Sequence, residues 1–439
     1  MTKVKIEKMA FGGSGIGSLP DGKKIFIKKT VPGDLVDVAV IKGKKEFAFG
    51  IVRKIIKASE NRINPKCPYF YQCGGCEHQN ISYEKQSEIK QSLIEESLVR
   101  NNIDIKIDKI IPGSDKEVFY RNSIRFMFEL DNKNQLHIAR HAYSDERNLV
   151  RIDRCLLQSE KSNEIARTIL DFINSNVSEK NSFWQLKIRE GKRTDEFMIE
   201  IITSNHDLPG EKGIIEILKR IQGVKSIYHT VAMAKSLLNL RRRLIFGSPV
   251  IYEKIGIFTF QISPESFFQT NSKGVKTLYD TIKMLANVKM GNRVVDLFCG
   301  TGSIGIYLST LAKKVSGVEF VPEAIRDAKD NAKINHLDNI EFICSDVSKW
   351  VKRNKNIEIN KLIVDPPRAG LNKELISDIC NLNFDTLIYV SCNPATFVRD
   401  LKYFEEKGIV ATKIQPVDMF PQTHHTELVS KLVKSYSVN

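Results

Sequence analysis

The chain has 439 residues, enough for about three domains, and its 67 Lys and Arg residues exceed its 52 Asp and Glu residues by a formal charge of +15. This excess favours a polyanionic partner such as RNA, although a solvated lysine-rich surface explains it equally well. The eight cysteines are too few for a disulfide scaffold, no apolar run of about 18 residues occurs, and residues 1–19 do not resemble a secretion signal. We therefore expect a cytoplasmic protein without a membrane partner.

The N-terminal segment, residues 1–59, alternates short β-type runs with Gly- and Pro-containing turns. The clearest runs are Val4–Met9, Lys24–Thr30, Asp34–Lys42 and Glu46–Ile56. We predict a small OB-like barrel of five strands that binds RNA through its lysines, although many small barrels bind no ligand.

Residues 60–261 are predicted to form a central domain of mixed α+β structure. A Cys-containing stretch at residues 64–80 precedes an amphipathic helix at about residues 82–101, which we expect to pack on the C-terminal domain. The remainder is rich in arginine, for example at Arg121, Arg140 and Arg151. Because guanidinium groups bind phosphates and stack on unpaired bases, these arginines indicate an RNA-facing surface, although any single arginine is by default solvated.

Residues 262–439 alternate strands with helices. The predicted strands are Arg293–Phe298, Lys314–Glu319, Ile340–Cys344, Lys361–Val364, Thr386–Ser391 and about Glu427–Val433. This pattern predicts a doubly wound, Rossmann-like α/β sheet with its sites at the carboxyl ends of the strands.

A cofactor turn is predicted after the first of these strands. Gly300, Gly302 and Gly305 match a dinucleotide fingerprint, but carboxylates stand at successive strand ends: Asp296, Glu319, Asp346 and Asp365. Such acids repel a pyrophosphate and suit a cationic sulfonium, which favours S-adenosylmethionine over NAD. We expect Glu319 to hold the ribose and Asp346 to lie near the adenine, with a helix N-cap as the competing role, above all for Asp346.

Three strings near the C-terminus predict methylation of carbon 5 of a pyrimidine. Asp365-Pro366-Pro367-Arg368 follows a strand, and its prolines fix the directions of the carboxylate and the guanidinium. The second string is Ser391-Cys392-Asn393-Pro394, which follows the next strand, and its Cys392 is the predicted nucleophile that adds to carbon 6. The third is His424-His425-Thr426-Glu427, whose Glu427 begins the closing strand and is the predicted base that removes the carbon 5 proton.

The other cysteines and the histidines of this region are interpreted more simply. Cys299, Cys344 and Cys380 are expected to be small buried residues. His424 and His425 lack metal-ligand spacing, so we expect them to orient neighbours or contact RNA.

Together these strings resemble those of the S-adenosylmethionine-dependent RNA uracil-5 methyltransferases of class I, over essentially the whole chain. Three-domain members of that family have an N-terminal TRAM barrel, a central domain with a [4Fe-4S] cluster and a Rossmann-like catalytic domain. The resemblance implies the TRAM barrel at residues 1–59, the central iron–sulfur domain at residues 60–261 and the methyltransferase domain at residues 262–439.

The resemblance also implies roles for individual residues. In the string Ser263–Asn271, Gln269 matches a cofactor contact and Phe267 a candidate for stacking on the flipped base. Together with the residues of the turn and the strand ends, the predicted cofactor site comprises Gln269, Phe298, Gly300, Gly302, Ser303, Glu319, Asp346 and Asp365. The implied catalytic set comprises Cys392, Glu427, Asp365, which matches the acid near the transferred methyl group, and Arg368.

The implied cluster ligands are Cys67, Cys73, Cys76 and Cys155. Their spacing alone would equally suit zinc, and the resemblance favours a [4Fe-4S] cluster that clamps the central domain.

A uridine of 23S ribosomal RNA is the first substrate hypothesis, because transfer-RNA enzymes of the family commonly lack both the cluster cysteines and the barrel. A transfer-RNA uridine is second and a cytosine third. A non-catalytic RNA-binding protein with the same fold is the alternative from another class. Residues 139–143 depart from the Gly-rich turn of many members, which leaves RNA contacts there open. We expect a monomer.

Overall fold

The computed structural model of the chain describes residues 2–232 and 241–435. Met1, residues 233–240 and residues 436–439, which the predicted domain ranges include, lie outside the described residues. Within the described ranges, no helix combines the length and apolar character needed to cross a membrane.

The N-terminal domain is a six-stranded sheet with the strand order β1-β5-β6-β4-β3-β2. Its strands are β1 (Thr2–Lys5), β2 (Lys8–Met9), β3 (Ser14–Ser18), β4 (Lys24–Lys28), β5 (Leu35–Gly43) and β6 (Phe47–Lys57). The expected count of five strands is wrong, because the predicted run Val4–Met9 splits into β1 and β2 and the glycine-rich segment after it forms β3. Its core consists of alternating side chains such as Val4, Ile25, Ile27 and Val36.

The first helix after the N-terminal sheet is α1 (Tyr83–Arg100), where the Ser82 side chain caps the first turn. The strand β7 (Ile111–Pro112) that follows joins the catalytic sheet. The other elements are β8 (Ser123–Leu130), β9 (Leu136–His141), β10 (Leu149–Arg151), α2 (Glu160–Asn176), a 3-10 turn at Lys180–Ser182, β11 (Phe183–Gly191), β12 (Glu196–Thr203), α3 (Glu211–Leu218), β13 (Val224–Val231) and β14 (Arg241–Gly247). The domain's strands form a sheet with the order β10-β9-β8-β11-β12-β13-β14.

The catalytic region contains a hairpin and a doubly wound sheet. Its elements are β15 (Ile251–Ile255), β16 (Phe258–Ile262), α4 (Ser272–Ala286), β17 (Arg293–Leu297), α5 (Ser303–Ser309), β18 (Lys314–Glu319), α6 (Pro322–Ile334), β19 (Ile340–Cys344), α7 (Val347–Arg353), β20 (Glu358–Val364), α8 (Lys373–Cys380), β21 (Asn383–Ser391), α9 (Pro394–Glu405), β22 (Ile409–Asp418) and β23 (Glu427–Lys434). The strand β22 was not predicted.

The sheet order β19-β18-β17-β20-β21-β23-β22-β7 positions the site. The strands from β19 to β21 are parallel, and β23 is antiparallel to both of its neighbours. The order reverses at β17, which lies between β18 and β20, so the crevice at the carboxyl ends of these strands is the expected position of a ligand.

The central and catalytic domains share buried contacts. Ile94 and Leu98 of α1 pack in the same core as β17, β20 and β21, and Met198 and Tyr228 of the central sheet pack in the core on the other side. The ammonium of Lys90 on α1 lies 2.7 Å from the carboxylate of Asp418 at the end of β22, and both side chains are buried. Because the pair is buried, loss of one partner would leave the other charge unpaired at a cost of about 3–5 kcal/mol.

Candidate active site

A cavity of about 980 Å³ lies at the carboxyl ends of the parallel strands. Every residue of the predicted catalytic set lines it, as do all members of the predicted cofactor set except two: the lining includes Gln269, Phe298, Gly300, Glu319, Asp346, Asp365, Arg368, Cys392 and Glu427. The two exceptions are Gly302 and Ser303, which lie behind the turn at the start of α5.

The turn after β17 has an unusual backbone that shapes one wall of the cavity. Phe298 has φ +63° and Gly300 has φ +53°, and such values are rare for a residue as bulky as phenylalanine. The Glu319 carboxylate, at the end of β18, accepts hydrogen bonds from the amides of Gly300 at 3.2 Å and Phe320 at 2.9 Å. Glu319 therefore connects the turn to the neighbouring strand while it faces the cavity.

The two predicted residues outside the cavity have packing roles. At Gly302, with φ +77°, a Cβ atom would lie 2.4 Å from the ring of Phe342. The Ser303 hydroxyl shares a 2.5 Å hydrogen bond with Tyr279. These contacts account for the small residues at both positions of the turn.

The acids of the strand ends do not all face the cavity. Asp346 caps α7 by accepting from the Lys349 amide at 3.0 Å, and it also lines the cavity, so both competing predictions describe it. Asp296 is fully buried under the turn, where it accepts from the Gly305 amide at 3.0 Å. Its predicted place on the cavity rim is wrong, because its side chain points into the sheet–helix interface.

The predicted nucleophile and base face each other through strand register. The antiparallel strands β21 and β23 pair Ser391 with Leu428, so the next position of the register sets Cys392 opposite Glu427. Arg368 lines the same cavity as Cys392, and its positive charge lowers the pKa of the thiol. Asp365 follows β20, the next strand of the sheet, and lines the same cavity. Sequence positions 365, 368, 392 and 427 are thus brought together by three adjacent strands.

Burial perturbs the titration of this group. Burial is the largest cause that raises the pKa of Cys392 to about 11; the nearby Glu427 and Asp365 charges also raise it, while Arg368 lowers it. Burial raises the pKa of Glu427 to about 8, with a further contribution from the charge of Asp365. Asp365 also lines the cavity, and burial raises its pKa to about 7. Carboxyl groups in this state are suited to exchange protons near neutral pH.

These carboxyl groups lead to a prediction about stability. In the folded protein, Glu427 and Asp365 keep a proton at pH values where the same groups in the unfolded chain have lost it. Their contribution to the free energy of unfolding is therefore complete below the unfolded pKa of about 4. It is lost as the pH rises toward their folded pKa values of about 7 for Asp365 and about 8 for Glu427. We expect the thermal unfolding temperature to fall between about pH 5 and pH 8, and Glu427→Gln to flatten that decline. Parallel curves for the wild type and the variant would contradict this.

The loop that carries Gln269 and Phe267 is held by the central domain. Asn122 donates from its side chain to the Gln269 carbonyl at 2.9 Å, and its amide donates to the Thr270 carbonyl at 2.9 Å. The buried guanidinium of Arg189 on β11 donates to the Ser263 and Ser266 carbonyls. Phe267 itself is 70% exposed and lines the cavity, with its ring free of the core.

The turn between two of the predicted ligand cysteines forms another wall of the cavity. Gly74, Gly75 and Glu77 line it, and the amides of Glu77 and the following residue donate to the Gln422 carbonyl at 3.0 Å. His424 Nδ1 lies 3.3 Å from the Glu77 carboxylate. His425 lines the cavity, and burial together with neighbouring positive charges lowers its pKa to about 4, so it is neutral at pH 7.

The four predicted ligand cysteines line one second cavity, together with Arg121, Arg140 and Arg154. Burial raises the pKa of Cys76 to about 12 and also raises the pKa of Cys67. In the described ranges, no set of three or more His, Cys, Asp or Glu side chains converges closely enough to hold a single metal ion. The arrangement brings four thiols around one space without the close convergence of a single-ion site.

The remaining cysteines differ from one another. Cys299 is buried, Cys380 is partly buried and Cys344 is exposed at the end of β19. The prediction for Cys344 is wrong because β19 is the edge strand of the sheet.

Several cavity residues were not predicted as members of this site. They are Gly74, Gly75, Glu77, Tyr120, Phe320, Phe420 and Thr423, with Arg121 and Arg140 predicted only as part of an RNA-facing surface. Phe320 directly follows the strand-end acid Glu319 and could have been found from that position. For Phe420 and the diglycine turn the sequence carries no local signal, because they reach the cavity only through tertiary packing.

Known proteins resemble this chain along its length. Residues 82–434 match a family model described as tRNA (uracil-5-)-methyltransferase, and residues 2–52 match the TRAM domain. An RNA methyltransferase from Halalkalibacterium halodurans is 35% identical, with 98% of this chain and 96% of that protein covered. One from Caldanaerobacter subterraneus is 34% identical, with 98% of both covered. The crystal structure of Pyrococcus abyssi tRNA (uracil-54, C5)-methyltransferase with S-adenosyl-L-homocysteine has a TM-score of 0.77 at 28% identity and covers 99% of this chain and 100% of that one.

Proposed function

The chain belongs to the tRNA (uracil-5-)-methyltransferase family of S-adenosylmethionine-dependent RNA methyltransferases, and from this premise we propose that it methylates carbon 5 of a uridine through a covalent bond between Cys392 and carbon 6. The observation that carries the proposal is the register that sets Cys392 opposite Glu427 at a cavity lined by strand-end acids. Uridine in 23S ribosomal RNA is the proposed substrate.

The cavity fits S-adenosylmethionine, which supplies a methyl group on a cationic sulfur when bound. Glu319 lies at the strand end where a ribose would be held, and Asp346 and Asp365 add negative charge to the same cavity. Gln269, Phe298 and the amides of the turn at Gly300 complete the proposed contacts. Acid side chains in a partly dry cavity favour a cation and disfavour a pyrophosphate.

Cys392 must lose its proton before it can attack, because the thiolate is the nucleophile. The charge of Arg368 favours the thiolate, while Glu427 and Asp365 oppose ionisation until they are protonated or face a bound cation. We propose that this balance keeps the thiol protonated in the free enzyme and permits its ionisation when the cavity is filled.

Glu427 takes the carbon 5 proton in the last step, after which the bond between sulfur and carbon 6 breaks and the thiolate leaves. Glu427 can act as this base only in its carboxylate form, and since burial raises its pKa to about 8, a positive charge in the filled cavity is needed to favour that form near neutral pH. Phe267 is proposed to stack on the flipped uracil, since its ring is exposed at the cavity entrance.

Transfer RNA is the second candidate substrate. The Pyrococcus enzyme named for tRNA uracil 54 is similar over the full chain, which includes the barrel region. This similarity supports tRNA as the substrate. It also means that the presence of an N-terminal barrel does not distinguish ribosomal RNA from tRNA.

Methylation of in vitro transcripts of 23S ribosomal RNA fragments and of tRNA tests the two candidates directly. We expect 5-methyluridine in the ribosomal transcript, and mapping of 5-methyluridine in RNA from a strain without this protein identifies the position. Methylation of tRNA alone would overturn the ribosomal proposal, and methylation of neither would overturn the reaction.

We also propose that Cys67, Cys73, Cys76 and Cys155 hold a [4Fe-4S] cluster. The support is that all four thiols line one cavity and that each thiolate of such a cluster binds a different iron, so the sulfur atoms need not converge on one point. The Lys29 ammonium donates to the carbonyls of Cys73 at 3.2 Å and Cys76 at 2.5 Å, which fixes their turn against the barrel. The cluster would thereby hold the Gly74–Gly75 wall of the catalytic cavity.

Cys76→Ser tests this assignment. We expect anaerobically purified wild type to contain iron and acid-labile sulfide, and the variant to lose most of both and to unfold about 5 °C or more lower, because ligand binding contributes to folding. Cys380 is a partly buried cysteine that is far in sequence from the four proposed ligands. Cys380→Ser is therefore the matched control and should retain the iron. Stoichiometric zinc without sulfide in the wild type would contradict the cluster.

From the sequence analysis we propose three domains, at residues 1–59, 60–261 and 262–439. We also propose that the protein is a monomer and that it is cytoplasmic. Analytical ultracentrifugation of the purified chain checks the monomer.

A further inference from the structure

Three phenylalanines lie side by side on the outer face of the N-terminal barrel. Phe26 on β4 pairs in register with Phe49 on β6, and Phe47 precedes Phe49 by two residues on the same face. The ring centroids of Phe26 and Phe49 are 5.8 Å apart, and those of Phe47 and Phe49 are 5.5 Å apart. We call these three residues the phenylalanine face.

The phenylalanine face is not part of the barrel core. The core is built from the alternate positions of the same strands, including Ile25, Ile27 and Ala48, and contains none of the three rings. Phe49 is 36% exposed, and the other two rings are half-buried. The three rings thus pack on one another and form a contiguous, partly exposed aromatic patch, and such patches mark interaction sites.

The orientation of the rings differs between the two pairs. The planes of Phe26 and Phe49 are tilted by 37°, whereas Phe47 stands nearly perpendicular to Phe49 at 85°. Phe26 and Phe49 thus present similarly directed faces, and Phe47 supports them edge-on, an arrangement that aromatic pairs favour.

Basic side chains surround the phenylalanine face. Lys42 on β5 pairs in register with Phe49, and the Lys44 ammonium lies 5.1 Å from the centroid of Phe47. Residues 1–59 carry 13 Lys and Arg against five Asp and Glu. The charge around the rings therefore complements a polyanion, whereas a neutral apolar partner would leave these lysines without counterions.

The phenylalanine face leads toward the catalytic cavity. Lys28, two residues after Phe26 and on the same face of β4, donates to the Tyr143 carbonyl of the central domain at 2.9 Å. Lys28 and Tyr143 surround a small space together with Gly74 and Glu77, and these last two residues also line the catalytic cavity. A strand of RNA that leaves the cavity along this wall would meet Phe26 first and Phe49 next.

We propose that the phenylalanine face binds unpaired nucleotides that flank the target uridine, with bases stacked on Phe26 and Phe49 and phosphates beside Lys42 and Lys44. Base faces are available for stacking only where RNA is unpaired, so this surface selects a single-stranded flank over a duplex. The inference rests on the proposed action on RNA and adds the structure of the substrate next to the methylated position.

The paired variants Phe26→Ala/Phe49→Ala and Phe26→Leu/Phe49→Leu test the proposal in the full-length protein. The probes are a fluorescein-labelled unstructured RNA of mixed sequence and an RNA duplex of equal length, with affinity measured by anisotropy at fixed salt. We expect both variants to bind the single strand about tenfold or more weakly and the duplex unchanged, because leucine keeps the apolar character of the face but lacks an aromatic ring.

Ile41→Ala, an exposed apolar residue of the same barrel, is the matched control and should bind both probes as the wild type does. Wild-type affinity of the leucine pair for the single strand, or an equal loss on the duplex, would overturn the proposal. Adduct formation with a minimal 5-fluorouridine stem–loop at saturating protein separates the proposed reaction from the proposed binding of flanking nucleotides. The phenylalanine variants should still form the adduct. If the wild type forms none, the reaction is rejected, while the affinity measurements still test the phenylalanine face.

Discussion

Replacing Cys392 with alanine is expected to lower methyl transfer by about 10⁴-fold or more, because carbon 5 of uracil becomes nucleophilic only after a thiolate adds to carbon 6. Cys392 stands at the end of β21, opposite Glu427, and lines the cavity together with Arg368. The same variant should form no covalent complex with RNA that contains 5-fluorouridine, since fluorine at carbon 5 blocks the final elimination only after the thiolate has added.

Cys344→Ala is the matched control for this experiment. Cys344 is exposed at the end of β19 in the same sheet, so its loss should leave the adduct and the methylation rate unchanged. RNA affinity should be similar in both variants. An adduct formed by the Cys392 variant would refute the assigned nucleophile, and a wild-type protein that binds RNA without an adduct would favour the non-catalytic alternative.

Replacing Glu427 with glutamine is expected to stop the reaction one step later. The amide cannot remove the carbon 5 proton, so a methylated adduct between Cys392 and ordinary uridine should accumulate, and turnover should fall by about 10²–10⁴-fold. Mass spectrometry of the trapped complex should show the peptide of Cys392 joined to a nucleotide that carries the extra methyl group.

Glu406→Gln provides the control, because Glu406 is an exposed carboxylate after α9 and away from the cavity. It should turn over normally and trap nothing on ordinary uridine. Loss of the adduct in the Glu427 variant would show that this carboxylate is needed before sulfur addition, for example to accept the thiol proton, and would reassign the base of the last step.

The strands of the catalytic sheet were predictable because each is a short apolar run that ends in a polar or glycine-rich turn. This pattern placed Glu319, Asp365 and Cys392 at strand ends, and the parallel sheet gathers such ends at one edge. The strand β22 was missed because its sequence, Ile409–Asp418, contains a proline and no clear alternation, and its position is set by pairing with β23.

Other features depended on contacts between distant segments. The sequence could not show that the Gly74–Gly75 turn lines the catalytic cavity, because its position follows from hydrogen bonds to residue 422 and to Lys29 of the barrel. Nor could the sequence show that Asp296 lies under the turn. The separation of Asp296 and Asp365 along the chain does not indicate which face of the sheet the Asp296 side chain occupies.

Local strings of the sequence predict the chemistry of this protein: they contain the types of the proposed reacting residues, their order along the chain and the resemblance to the family. Which side chains share a cavity, which acids keep their protons and which aromatic rings face solvent became visible in the folded chain alone. The physical reason is that residue type sets what a group can do, whereas register, burial and neighbouring charge set its pKa and its reach, and these arise from contacts between segments far apart in the chain.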